Sequence, residues 1–572
     1  MTGWLQAAMP HLIVIPVVLP LLTAALLLLM GGRRQWKALV NVASGVVGLL
    51  VAIALLDWVN AHGAPGAVGI YLPSNWDVPF GIVLAVDRLS ALMLVLTSTV
   101  SLASVLFATA RWDSAGVHYH ALLQIQLMGV NGAFLTADVF NLFVFFEVML
   151  AASYGLLLHG SGRPRVRAGL QYIAVNLLAS SLFLIGVAIL YGITGTLNMA
   201  DMAQKIPLIP ADDRSLLHAG VAILGMAFLV KAAMWPLNFW LTPAYAAASA
   251  PVAALFVILT KVGIYAVLRL WTLFQSTEAG PVALGGDALI YGGLATLALG
   301  AIGMLTAQQP RRLAGFGIIL SSGTVLAVIG LAHAAVMGGA LFYMLGSTLA
   351  ASALFLLGDL IERARAVEVV PAVHDDETDQ VPYYVDLPEW TEGASQGSAA
   401  DDEEALVGRA IPATMAFLGL SFVACALMIA GLPPLSGFLA KFVMLTTLLD
   451  SAHPQASSSG LSMSGAGWTL LILLIGSSLL ATIALSRAGI RYFWAPQDRP
   501  VPHLRAIECA PIAALVLVAA ALTVGAEPVL RYTHAATTSL LAPAQYIDAV
   551  MAATPVQNPV RMPAKSAPET VP

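Results

Sequence analysis

Fourteen times along this chain, roughly 18 or more residues pass with few or no charges. The stretches lie at about 11–31, 38–57, 83–108, 120–137, 139–159, 168–192, 216–245, 250–275, 286–306, 313–333, 336–360, 409–449, 466–487 and 509–527. In hydrocarbon every backbone N–H and C=O needs a partner within the protein, so runs of this kind predict helices. The expected fold is all-α, a polytopic membrane protein of about fourteen transmembrane helices. Composition agrees: 59% of the residues are hydrophobic and 10% charged, against about 25% charged in soluble domains. The first run is followed by Arg33, Arg34 and Lys37 and offers no cleavage signal, so it reads as a retained span.

The basic residues test the count. Numbered in order, the odd connections hold Arg33, Arg111, Arg163, Arg311, Arg363, Arg491 and their basic neighbours, while the even ones hold only Lys205, Arg214 and Arg269 near a helix end. The positive-inside rule then places odd connections in the cytoplasm and both termini outside. The segment 366–407 carries about a dozen acids and no Lys or Arg, so the net charge of −5 hides a basic membrane body. It reads as a solvated cytoplasmic insertion. Connection 58–82, rich in Gly, Pro and aromatics, suggests a short hairpin on the outer surface. The Ala/Pro-rich chain after about 530 reads as a disordered tail.

Four charges stand where lipid-facing chemistry forbids them. Glu147 lies in FNLFVFFEVMLAASYGLL, Lys231 in GMAFLVKAAMWPLNFWL, Lys261 in APVAALFVILTKVGIYAVL, and Lys441 follows GLPPLSGFLA. A charge at bilayer depth costs roughly 2.5–3.5 kcal/mol on insertion scales. Burial disfavours the charged form of Glu147 and Lys231, and pairing restores it, so together they would form a proton switch. Lysine suits such a role because it gives up its proton on burial more readily than arginine. A fixed ion pair pinning two helices is the alternative. Lys261 has no acid in its own span, which suggests a relay between Lys231 and Lys441.

Prolines interrupt two of these spans. Pro236 and Pro243 follow Lys231, and Pro433 and Pro434 precede Lys441; each deletes a backbone donor and is expected to open its helix. The segments PLNF and PLSGF lie five spans apart, fitting two five-span units of opposite orientation with a transport site at the interruptions. The units are 120–275 and 286–490, with 1–119 before them and 509–572 after.

Other candidates carry less. Asp87 and Asp138 open the third and fifth spans, where a helix cap and an ion access point are both open readings. His159, His218 and His333 fall near span ends and read as interfacial, with a relay role open. Asp359 and Glu362 close the eleventh span beside Arg363 and read as a solvated helix end. Tyr245, Trp235 and Trp240 flank the first interruption. Cys425 and Cys509 form no CxxC or metal spacing and read as packing residues. No P-loop or dinucleotide fingerprint is present, so no cofactor or metal is expected and the chain brings no energy source of its own.

At FNLFVFFEVMLAASYGLL, PLNFWLTPAY, SAPVAALFVILTKVGIYA and AGLPPLSGFLAKF the sequence resembles the D subunit of the multisubunit Mrp-type (Mnh or Pha) monovalent cation/proton antiporters. That protein is itself similar to the antiporter-like subunits of respiratory complex I. The resemblance implies fourteen helices with two inverted five-helix repeats and broken helices seven and twelve. It makes Glu147 and Lys231 the coupled pair, Lys261 the central relay and Lys441 the exit residue, with Tyr245 closer to the Mrp type. It implies a bacterial inner-membrane transporter subunit, not an enzyme. Its partners would be other membrane subunits, protons, Na⁺ or another monovalent cation, and lipid, with no nucleic acid. A pump module of a redox complex and a non-transporting scaffold are the rival readings. One departure stands out: Gly346 and Ala350 occupy positions where relatives often carry histidine and members from complex I add lysine.

Overall fold

A computed structural model describes residue 9 and residues 11–556, apart from 32, 62–66, 116–117, 161, 276–284, 367–412, 451–464 and 495–503. The acidic segment 366–407 and the last residues of the tail thus lie almost wholly outside the described residues. Twelve described helices are long and apolar enough to cross a membrane. The expected spans at 11–31 and 120–137 coincide with two shorter helices, α1 (Ile15–Leu29) and α4 (Tyr119–Leu135). Between them come α2 (Arg34–Ala61) and α3 (Arg88–Thr109). A small antiparallel pair, β1 (Gly69–Tyr71) with β2 (Leu84–Val86), forms the expected hairpin. It takes residues 84–86 from the expected third span, which starts at Arg88, where Asp87 caps the helix.

The next elements are α5 (Val139–Leu158), α6 (Arg163–Thr194), a short α7 (Met199–Lys205) and α8 (Arg214–Lys231). A non-helical break leads from α8 into α9 (Leu241–Ala247), and α10 (Ala250–Gln275) follows. Then come α11 (Gly286–Thr306), α12 (Pro310–Leu331), α13 (Ala334–Ala366) and α14 (Ala413–Ala430). A second break leads to α15 (Ser436–Asp450), followed by α16 (Gly465–Gly489) and α17 (Ala506–Val524). The chain after about 530, expected to be disordered, instead continues as α18 (Ala526–Leu541) and α19 (Ala544–Met551). These helices are held by packing against α13, α10 and α7, which composition could not reveal.

Two helices form the axis of the molecule. α10 is buried from Ala250 to Phe274, and α13 is buried from 336 to 361. They pack on one another, α10 being surrounded by α3, α8 and α12 and α13 by α12, α14, α15 and α17. Leucines exposed on α1 and α6, such as Leu22, Leu29, Leu170 and Leu178, face outward, as expected where lipid or another subunit replaces water.

Polar contacts collect at the two ends of the bundle. At one end Arg34 pairs with Asp113, Arg165 donates to Ala247 O at 2.9 Å, and Arg505 donates to Ala110 O at 3.1 Å. Arg311 bonds Asp359 at 2.8 Å and Glu362 at 2.9 Å there, and Arg363 reaches Glu508 at 2.8 Å. Asp359 is therefore not part of a solvated helix end: it is 3% exposed and compensated by two arginines. At the other end Asp87 pairs with Arg269, Leu84 bridges to Thr136, Asp138 bridges to Asn198, and Tyr532 donates to Arg88 O at 2.9 Å. The first set joins odd-numbered connections only. The second joins even-numbered connections and the C-terminal segment.

Candidate functional site

Glu147 sits two turns into α5, half-buried, and accepts a short hydrogen bond from Ser180 of α6. Lys231 is the last residue of α8 and is 4% exposed. Its Nζ lies 5.2 Å from the centre of the Phe146 ring and has no hydrogen-bond partner. No ion pair within 4 Å joins it to Glu147, although Phe146 is the neighbouring residue. The expected pair is thus open here: the acid is held by a serine and the ammonium by an aromatic face, worth about 0.5–2 kcal/mol.

The break after Lys231 follows from backbone chemistry. Ala232 still bonds back to Phe228 O at 2.8 Å, but Ala233 turns into the left-handed region at φ 56°. Pro236 then has no N–H to offer the carbonyl of Ala232. Thr296 of α11 accepts from Trp235 N at 2.8 Å, supplying a partner for one freed donor. Pro243 does not open the helix, contrary to the sequence expectation. It lies in the first turn of α9, where backbone amides lack intrahelical partners in any case.

Lys261, 1% exposed at the middle of α10, donates to Ser321 Oγ of α12 at 3.0 Å. Ser321 in turn lies 2.8 Å from Ser347 Oγ of α13. Ser347 adjoins Gly346, so hydroxyls stand beside this glycine. A Cβ at Gly346 would come within 2.8 Å of Ser436 Oγ. That hydroxyl, on the first residue of α15, is buried and has no partner.

Lys441, in the second turn of α15 and 4% exposed, has two partners. Its Nζ donates to Ala430 O at 3.1 Å and to Ser478 Oγ of α16 at 2.7 Å. The Ala430 carbonyl is available because a continuing helix would give it the N–H of residue 434, which Pro434 lacks. Pro433 precedes it in the same gap. Gly431 turns the chain at φ +75°, and a Cβ there would come 2.7 Å from Lys441 Cδ.

The remaining candidates separate. Tyr245 is fully buried among Trp240, Phe256 and Phe355, its hydroxyl without a partner. Asp138 caps α5, accepting from Asn141 N at 2.7 Å, and burial pushes its carboxyl above the ordinary range. Asp87 caps α3 and is held bidentate by Arg269 at 2.6 and 2.8 Å. Burial is the largest single influence and would raise its carboxyl, but the Arg269 charge and the hydrogen bonds from Arg269 and Ser90 together outweigh it and keep the group below the usual range. His218 and His333 are exposed. Sequence reasoning missed Ser180, Ser321, Ser347 and Ser478. Hydroxyls within apolar spans were the available signal. Among the described residues no His/Cys/Asp/Glu cluster could hold a metal.

Known proteins are similar to this chain over nearly its whole length. The family profile described as "NADH:quinone oxidoreductase/Mrp antiporter, TM" matches residues 136–373, from the start of α5 past α13. The D subunit of a probable K⁺/H⁺ antiporter of Rhizobium meliloti is 49% identical over 97% of this chain and 99% of its own length. The D subunit of a Na⁺/H⁺ antiporter of Bacillus subtilis is 31% identical over 95% of this chain and 100% of its own. In the solved Mrp complex from Dietzia sp., one chain superposes with a TM-score of 0.77 at 26% identity, covering 95% of this chain and 99% of that one. Matching these relatives over nearly its whole length, the chain belongs to the D-subunit family of the multisubunit Mrp-type monovalent cation/proton antiporters.

Proposed function

We propose that this chain provides the proton path of a multisubunit monovalent cation/proton antiporter in the bacterial inner membrane, as a secondary transporter subunit without enzymatic chemistry. Glu147 and Lys231 form the coupling pair, Lys261 the central relay and Lys441 the exit. The observation that carries this reading is three lysine side chains buried in a membrane-spanning bundle with no carboxylate within 4 Å among the described residues. Structural ion pairs would be mutually neutralised, whereas these lysines rest on hydroxyls, a freed carbonyl and an aromatic face. Such sites mark ion pathways.

The topology is fourteen crossings with both termini outside. The separation of odd from even connections at the two ends of the bundle supports it, since one missed crossing would mix the sets. Two inverted five-helix repeats, 120–275 and 286–490, account for broken helices at equivalent places. The cation passes in a partner subunit or a linked path. K⁺ is the first to test, because the relative sharing 49% identity is named for K⁺. In vesicles containing the whole complex, Lys231→Ala and Glu147→Ala should each abolish cation-driven proton exchange while assembly persists. Native exchange by both would leave the pair a structural one.

A further inference from the structure

Arg269 lies two turns beyond Lys261 along α10, about 12 Å by helical rise, with Tyr265 midway. Tyr265 donates to Phe134 O at 2.7 Å, and Arg269 Nη2 donates to the Tyr265 oxygen at 3.3 Å. Arg269 also grips Asp87, so a polar line runs from Tyr265, one turn after the central lysine, to a buried ion pair at the end of the bundle assigned to the outside. Both partners are nearly enclosed, with side chains 5% and 15% exposed. Burying such a pair is no stabilising device in itself, since an apolar replacement often holds a fold as well.

The C-terminal segment covers this pair. The Tyr546 ring of α19 lies 4.9 Å from the Arg269 guanidinium. Tyr532 of α18 ties to Arg88 O, and Thr537 donates to Ala334 O at 2.9 Å. Beneath the cover is a cavity of about 30 Å³ bordered by Asp87, Arg269, Thr272 and Tyr546, room for a water molecule.

We infer that Asp87 and Arg269 form an outer proton-access site for Lys261, and that Tyr546 on the C-terminal helix is its cover. Arginine stays protonated, so Asp87 is the proton carrier. With the cover down, Arg269 keeps it a carboxylate. With the cover lifted, water competes for the guanidinium, a proton from the outer solution reaches Asp87 through that water, and Asp87 passes it through water along α10 to the neutral Lys261 amine. The charged and titratable groups facing this pair are Arg88, Tyr265, Tyr532 and Tyr546. The inference rests on Lys261 acting as a relay.

The test uses the assembled complex in vesicles of known orientation. Thr272→Cys puts a thiol in the cavity wall, away from native Cys425 in α14 and Cys509 in α17. A membrane-impermeant maleimide added outside should label it above the parent complex, and about tenfold faster with Tyr546→Ala, as expected if the open fraction rises by that factor. No response to Tyr546→Ala, or labelling from the inside alone, overturns the proposal. The charge-neutral double variant Asp87→Asn/Arg269→Gln should slow exchange on the order of 100-fold, the usual scale for losing a positioned proton carrier. Native exchange in that variant overturns it, and if the variant fails to assemble the labelling decides. Lys261→Ala separates the two readings: native exchange there sinks the relay itself, whereas loss there with a native double variant sinks only this access.

Discussion

At the first interrupted helix the lysine stands before the gap and has no hydrogen-bond partner; at the second it stands after the gap and has two. The same ingredients, a lysine and a proline-opened helix, give opposite outcomes because Cα–Cβ bonds tilt toward a helix N-terminus. Lys441, one turn into α15, therefore reaches back into its gap and finds the Ala430 carbonyl that Pro434 leaves free. Lys231 ends α8 and leans away from its gap, down onto Phe146, while Thr296 serves the freed Trp235 amide instead. The place of a lysine relative to the break, more than the break itself, decides whether its charge is compensated. One break thus leaves its lysine with two hydrogen-bond partners, and the other leaves its lysine with none, beside an acid it does not touch.

The largest effect should come from destroying the second gap. Gly431→Val forces a β-branched residue to φ +75°, costing about 1–2 kcal/mol of backbone strain, and drives a side chain into the stem of Lys441. Exchange in vesicles should be lost and the thermal midpoint of the complex lowered. Native exchange would mean that Lys441 needs neither partner. Ser478→Ala should do less: it leaves Lys441 only the Ala430 carbonyl, and a hydrogen bond to a charged group is worth about 1.5–3 kcal/mol. We expect exchange slowed by about 10- to 100-fold, that energy read as a rate. An unchanged rate would make the two lysines equivalent and erase the asymmetry.

The depth of Glu147, Lys231, Lys261 and Lys441 was legible in the sequence because a charge inside an apolar run has few explanations. So were the two broken helices, since proline removes a donor wherever it falls. Their partners were not. Ser180, Ser321, Ser347 and Ser478 resemble packing serines on helices until the crossing of the helices brings them to a lysine or a carboxylate. Gly346 stood out only against the pattern the resemblance implied, and that Ser347 and Ser436 border it depends on how α13 meets α15. The C-terminal helices escaped because alanine-rich chain with prolines is read by composition, whereas α18 and α19 are fixed by tertiary contact with α13, α10 and α7. Arg269, eight residues after Lys261, carried a usable helical spacing that the search for mid-span charges passed over.

A finer probe of the first half is Ser180→Ala. Ser180 competes with Lys231 for Glu147, so its removal, worth about 1 kcal/mol, should let the pair close and slow exchange several-fold in initial-rate measurements. An unchanged rate would mean that opening of the pair does not limit transport.

The smallest effect should be that of Pro243→Ala, and its smallness is informative. The i→i−4 ladder of α9 begins at Ala244, which bonds Trp240 O at 3.3 Å, so residue 243, in the first turn, has no place in that ladder. Restoring that N–H neither closes the gap nor takes a carbonyl from Lys231, and the change should stay within about 0.5 kcal/mol with exchange unaltered. Pro236→Ala is the contrasting substitution, because its new amide can bond Ala232 O and draw the chain after Lys231 back into helix. If Pro243→Ala impaired exchange as strongly as Pro236→Ala, the functional gap would extend through α9, and the first interruption would be a longer and looser structure than the second, with Lys231 at the edge of a mobile segment instead of a fixed turn.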